Sequence, residues 1–402
     1  MARLLVSTVR RHSPANEPSG FLYAIDWDRR EILRRVPIIE TLHRAHDPNA
    51  RGGVRGAKGI SVSGSEVCIA NFSHILRFDS KWNPLGAITN RSCSSIHDIE
   101  HDGRSVWAAS SRNDVIFQFD PAGRILAAHD MRAGSEANEA LDWHPPLVLS
   151  RQDILNGTID FTDPRTHDLE TFDAAHVNSL CCLADGDILV SLGIVWGRLT
   201  TLFRLKKKLQ KAGVWDAFVS VNKGLQKLLG LKALAHSQLV VQPAKARSAV
   251  VRIRKDGSRE LCLEVPGTSV PSHSLRKLHD NTVLYLNTSA GDVVHFDPHG
   301  SAEGAGRLLA TTHVGHGFLR GMASVSNCAV ILGNKTELVH FDHAVRGVVD
   351  RFQYTSDPNE SVFDIKVLPS GFALPPQVLP PLQSFPVELA KSADSLPHSK
   401  AA

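Results

Sequence analysis

Three histidines stand at the start of short apolar runs: His97 in Ile96-His-Asp-Ile99, His176 in His176-Val-Asn-Ser-Leu180, and His273 in Pro271-Ser-His-Ser-Leu275. A neutral imidazole offers one lone-pair nitrogen. Three of them brought to one point would bind Zn²⁺, Fe²⁺ or a similar divalent ion and leave a coordination position open. Such an ion polarises a carbonyl or lowers the pKa of bound water. Similar positions are held by Arg55 and Lys58 in Arg55-Gly-Ala-Lys-Gly-Ile60, by Asp98, Asn178 and Ser274, by Arg320 in Leu319-Arg-Gly-Met322, and by Asn359 with Glu360. Arg55, Lys58 and Arg320 suit an anionic substrate group, and Asp98 and Asn178 complete the candidate catalytic set. Two other readings use the same residues. One is a polar ligand pocket without metal; the other has the histidines donating to backbone carbonyls or ordered water.

Side chains so far apart in sequence meet only if the fold returns to one axis again and again, and an internal repeat does this. An apolar strand, a Gly-containing turn and a second strand lead to a third that ends in an aromatic residue or Ile followed by Asp. The endings are Tyr23-Ala-Ile-Asp26, Arg77-Phe-Asp79, Gln118-Phe-Asp120, His295-Phe-Asp297 and His340-Phe-Asp342, with Val251-Arg-Ile-Arg-Lys-Asp256 as a looser sixth. Tight turns such as Asp120-Pro-Ala-Gly123 then lead to a fourth strand. Without long insertions the Asp recurs every 41 to 53 residues, the size of one propeller blade.

Five units are complete and one is split. The N-terminus supplies three strands (Leu4–Val9, Phe21–Asp26, Ile32–Val36), and Ser361–Val367 is left over after the last full unit. Joining them removes both exposed edges. The expected fold is all-β: a six-bladed β-propeller over residues 1–368, closed by pairing of the C-terminal strand with the N-terminal blade. The starts of its inner strands line a central channel, which puts the three histidines at equivalent positions of successive blades.

The chain resembles the six-bladed lyase and NHL-repeat propellers. The histidine arrangement is similar to that of the peptidylglycine amidating lyases, six-bladed propellers with histidines from different blades on a central zinc. That resemblance implies a metal on His97, His176 and His273.

Residues 40–57, 131–175 and 196–247 break the blade rhythm, and all fall on the face where inner strands begin. Long loops on a rigid scaffold are where binding and catalysis concentrate. Within the last, 202–232 reads as a helical insertion with an apolar stripe (Leu205, Leu209, Phe218, Leu225) and a basic face (Arg204, Lys206, Lys207, Lys208, Lys211). It suits packing on the rim, an acidic protein partner or an anionic membrane. Leu141-Asp-Trp-His-Pro-Pro146 could lean over the mouth with Trp143 or His144, or simply pack. The tail 369–402 has seven prolines and is expected to be disordered or laid across the surface.

With 42% hydrophobic and 21% charged residues the chain lies in the globular range, and a net charge of +4 does not imply nucleic acid. The N-terminal apolar run is too short for a signal peptide and no run is long enough to span a membrane, so a cytoplasmic location is expected. Six dispersed cysteines read as reduced core residues. There is no Gly-x-Ser-x-Gly elbow, P-loop or dinucleotide fingerprint. These observations point to a metal-dependent lyase or hydrolase acting on a small anionic organic substrate at the channel mouth. The alternative is a non-catalytic scaffold that recruits an acidic partner or membrane through 202–232.

Overall fold

Each repeat unit folds as a four-stranded antiparallel sheet, and six such sheets close a ring. The computed structural model describes residues 2–39, 43–47, 54–145, 147–167, 169–196, 246–268, 270–300, 306–315 and 317–386, with 213, 214, 217, 220 and 221. The inner strands of blades 2 to 6 are Ile60–Ser63, Ile96–His101, Val177–Cys182, His273–Lys277 and Leu319–Ser324. Blade 1 is the split one. Glu360–Leu368 is its inner strand, followed outward by Arg3–Arg10, Gly20–Asp26 and Glu31–Ile38. Arg3 lies opposite Leu368 and Arg10 opposite Glu360, with one bulge between Ser7 and Thr8.

The aromatic-Asp landmark has a local cause. Phe78, Phe119, Phe296 and Phe341 are buried between blades. At each of them the pairing of third and fourth strands shifts register, so a β-bulge adds twist there. The Asp that follows accepts backbone N–H bonds within the next turn: Asp79 from Lys81 and Asn83, Asp297 from His299, Asp342 from Ala344. Such Asx turns stabilise the reversal into the outer strand.

Second strands such as Val106–Ser110 and Val283–Asn287 are buried throughout, whereas the outer strand Gly347–Gln353 is largely exposed. The apolar core is therefore a set of wedges between neighbouring blades. Inner strands have one edge facing the channel without a strand partner, and their N–H groups need other acceptors. Side chains of the preceding blade supply them. Asp364 accepts from Ile60 N (2.9 Å), Ser61 from His101 N (2.8 Å), Asp98 from Leu180 N (3.2 Å), Ser179 from Leu275 N (2.8 Å) and Ser274 from Gly321 N (2.9 Å). At the sixth junction Gly321 sits at φ +76°, and a Cβ there would lie 2.9 Å from Asp364 Cα. Only glycine fits that approach.

His74 of blade 2 is buried with no partner for Nδ1, and burial pushes its pKa down to about 4. An unfolded histidine titrates near 6.5, so between about pH 6.5 and 4 the unfolded chain holds a proton that the folded chain does not. Stability therefore falls as pH falls through that window, by on the order of 3 kcal/mol from this residue. His74→Gln is expected to remove that share of the acid sensitivity. Urea unfolding of parent and variant at pH 7 and 4.5 tests this, and equal losses in both would refute it.

Of the two outcomes expected for the tail, residues 369–386 take the second and lie across blade 2. Phe372 and Phe385 are buried in the blade 2 core, Trp82 Nε1 donates to Ala373 O (2.9 Å), and Phe385 meets Phe78 edge-on. Two aromatic residues suffice because the blade already offers an apolar face. The insertion expected at 202–232 lies almost wholly outside the described residues. It falls between Ile188–Trp196 and Ala246–Ile253, the second and third strands of blade 4. Cys328 is exposed, unlike the buried Cys68, Cys93, Cys181 and Cys262. Among the described residues no helix is long and apolar enough to cross a membrane.

Candidate active site at the channel mouth

Blades 3, 4 and 5 bring His97, His176 and His273 together. One ring nitrogen from each lies within 4.8 Å of the others, and the ring centroids are 4.8 Å (97–176), 6.2 Å (97–273) and 6.3 Å (176–273) apart. Nitrogens on one tetrahedral ion at about 2.1 Å stand about 3.4 Å apart, so the rings need to close by about an ångström or so. His176 itself holds a left-handed φ of +53°, which aims its ring from the segment before the strand.

The groups behind the rings decide which nitrogen faces the axis. His97 Nδ1 meets Ser95 O at 2.6 Å and Ser111 Oγ at 2.7 Å, and Ser111 donates its own proton to Val177 O. His273 Nδ1 meets Thr288 Oγ1 at 3.1 Å, and Thr288 donates to Leu319 O at 2.8 Å. His176 Nδ1 meets the Asp173 carboxylate at 2.9 Å. Carbonyls, carboxylates and hydroxyls whose protons are committed can only accept. Each ring therefore holds a proton on Nδ1 and turns Nε2 away from its backing group, the arrangement found behind metal-ligating histidines. Burial, followed by the charge of Lys58, holds the His97 pKa well below the usual histidine range; burial followed by Arg320 does the same for His273. Both are neutral and fit to ligate.

Beside the histidines lies a row of cations and rings. Arg320 Cζ sits 3.3 Å from the Phe363 ring centre, and Lys58 Nζ lies 5.7 Å from Phe363 and 5.0 Å from Phe72. Arg112 Cζ is 5.1 Å from the Phe72 centre. Phe363 in turn packs on His97 at 5.3 Å. Lys58, Arg112 and Arg320 are 3%, 3% and 7% exposed. Among the described residues none of the three forms an ion pair with a carboxylate, and Arg112 Nε and Arg320 Nη2 are buried without a hydrogen-bond partner. Burial, then repulsion from Arg320, Arg55 and Arg112, lowers the Lys58 pKa well below that of an ordinary lysine. Burial lowers Arg112 to about 10.

The other sequence candidates divide. Arg55 is half-buried and close enough for its charge to act on Lys58 and Arg320. Asn178 lines a cavity shared with His97 and His273, together with Asp98, Ser274 and Arg320. Its Nδ2 donates to Ser272 O (2.7 Å), and its Oδ1 is buried without a partner. Asp98 Oδ2 accepts from Ser179 Oγ (2.7 Å) and Leu180 N, clasping blade 4. Glu360 lies in blade 1 instead, accepting from Thr8 and Tyr23 (both 2.8 Å). Trp143 packs between blades 3 and 4, and His144 is exposed. Sequence reading missed Ser111, Thr288, Asp173, Arg112, Phe72 and Phe363. A hydroxyl residue directly after the second strand in blades 3 and 5, Ala-Ser-Ser111 and Leu-Asn-Thr288, was the available signal.

No protein-family model matches the chain, and no curated protein matches it in sequence. Solved structures do match. A chain of a nidogen/laminin complex aligns with TM-score 0.50 and 10% identity over 91% of this chain and 99% of that one. A protein of unknown function from Bacteroides caccae gives 0.48 and 11% over 91% and 98%. Virginiamycin B lyase from Staphylococcus aureus gives 0.43 and 8% over 88% and 90%. At these identities the likeness is one of fold, and the fold this chain shares is the six-bladed β-propeller.

Proposed function

We propose that this chain is a metal-dependent enzyme of lyase or hydrolase type, acting on a small anionic organic substrate at the channel mouth. The observation that carries the reading is the set of three imidazoles from three blades, each with Nδ1 backed by an acceptor and with one nitrogen of each ring within 4.8 Å of the others. A divalent ion such as Zn²⁺ or Fe²⁺ would supply Lewis acidity there. Lys58, Arg112 and Arg320 would hold the substrate's anionic group in a poorly hydrated setting, where charge pairing is strengthened. Phe72 and Phe363 keep water from that side. Asn178 Oδ1 is placed to accept from a substrate hydroxyl or amide, and Asp98 holds the floor of the cavity through its bond to blade 4.

Elemental analysis of the purified chain beside a folded His97→Ala, His176→Ala, His273→Ala variant tests the reading. The expected result is near-stoichiometric metal in the parent and none in the variant. Equal content in both, or none in either after purification with added metal, would refute it.

A further inference from the structure

The row of buried cations specifies more than negative charge. Lys58 precedes the inner strand of blade 2, Arg112 follows the second strand of blade 3, and Arg320 lies on the inner strand of blade 6. They come from three different blades, and the charges of Arg320 and Arg112 act on Lys58 to lower its pKa. Buried cations are normally matched by a counter-charge in direct contact; Asp173 and Asp47 act on Arg112, and Asp364 and Asp98 on Arg320, only through space, and Arg112 Nε and Arg320 Nη2 are left without a hydrogen-bond partner. A carboxylate brings one charge and two oxygens in a plane. It satisfies one guanidinium fork and leaves the other two cations without a directly bonded anion. A phosphate monoester brings nearly two charges and three oxygens pointing in different directions, which suits two guanidinium groups and one ammonium.

We propose that Lys58, Arg112 and Arg320 bind the dianionic phosphate group of a small organic phosphate monoester, seated against Phe72 and Phe363. The proposal deepens the enzymatic reading by naming its substrate class, and it rests on that reading only for the role of the histidine centre beside it. The anion site itself stands on the cations.

The test uses inorganic phosphate as the probe, with acetate and malonate at matched ionic strength, on the full chain stripped of metal. Phosphate is expected to bind measurably by calorimetry and to raise the melting temperature, and the other two anions to do so weakly or not at all. Arg112→Met and Arg320→Met should each weaken phosphate binding by about 10- to 100-fold. Each variant should also melt at or above the parent temperature without phosphate, because an unmatched buried cation is gone; this separates lost binding from lost folding. The histidine triple variant should bind phosphate like the stripped parent. Persistence there with no metal in the parent would sink the metal reading and leave this one standing. Phosphate binding that vanishes with the metal, matches acetate, is exceeded by malonate, or survives both arginine substitutions would overturn the proposal.

Discussion

A chain that stops after Tyr354 is expected to lose its cooperative unfolding transition, although five blades would keep all four of their strands. The missing segment, Glu360–Leu368, is the inner strand of blade 1, paired along the whole of Arg3–Arg10. It buries Val362, Phe363, Ile365 and Leu368. At about 1.5–3 kcal/mol for each large apolar side chain, the loss is comparable to the whole stability of a typical domain, about 5–15 kcal/mol. Asp364 goes as well, leaving Ile60 N without its acceptor, and Arg3–Arg10 becomes an open strand edge. A chain ending at Leu368 is the matched control. It keeps the ring but loses Phe372 and Phe385 from blade 2, so it should unfold cooperatively at reduced stability. Circular dichroism melts of the three chains would decide, and a parent-like transition in the shortest would show that ring closure is dispensable.

The second large effect concerns the histidine centre. The proposed ligands come from blades 3, 4 and 5, so the unfolded chain has no preformed site and a metal held there should bind the folded state preferentially. With free ion at about a thousand times its dissociation constant, the folded state should gain about 4 kcal/mol. For a chain of this size that is a melting shift of about 5 °C or more between chelated and metal-loaded protein. His176→Ala should abolish the shift. Asp173→Asn, which weakens the acceptor behind His176 while leaving all three rings, should weaken metal affinity by about 10- to 100-fold. A shift that persists in His176→Ala would place the metal elsewhere.

The ring was legible in the sequence because its landmarks are local. A buried aromatic at a bulge and an Asp capping the next turn are written within a few residues, and an orphan strand at one end matches a missing strand at the other. The convergence of His97, His176 and His273 followed from their shared position at inner-strand starts. What stayed hidden depends on distances between blades. Ser111 acts on His97 because its hydroxyl reaches Val177 O, 66 residues away. Arg112 lies in a connection between second and third strands, and only the closed ring shows that this connection reaches the Phe72 ring beside the channel. Phe363 was visible as a strand residue, but its contacts with Arg320 and His97 come from three different blades. The tail composition left disorder and a path across the surface both open, and nothing within it indicates that blade 2 has room for Phe372 and Phe385.

The seam in blade 1 also sets how the molecule would respond to force. Because Arg3 lies opposite Leu368, the two chain ends leave the seam from the same end of an antiparallel pair. Tension applied at the two ends would load the hydrogen bonds one after another, like a zip, rather than all at once in shear. A contact that is thermodynamically central is thus mechanically the weakest line in the ring. The segment after Leu368 moderates this: Arg3 Nη2 donates to Pro369 O (2.7 Å), Ala373 N to Ser80 O (2.8 Å), and Phe372 and Phe385 are anchored in blade 2. A pull from the C-terminal side must first peel that strap from the neighbouring blade before it reaches the seam.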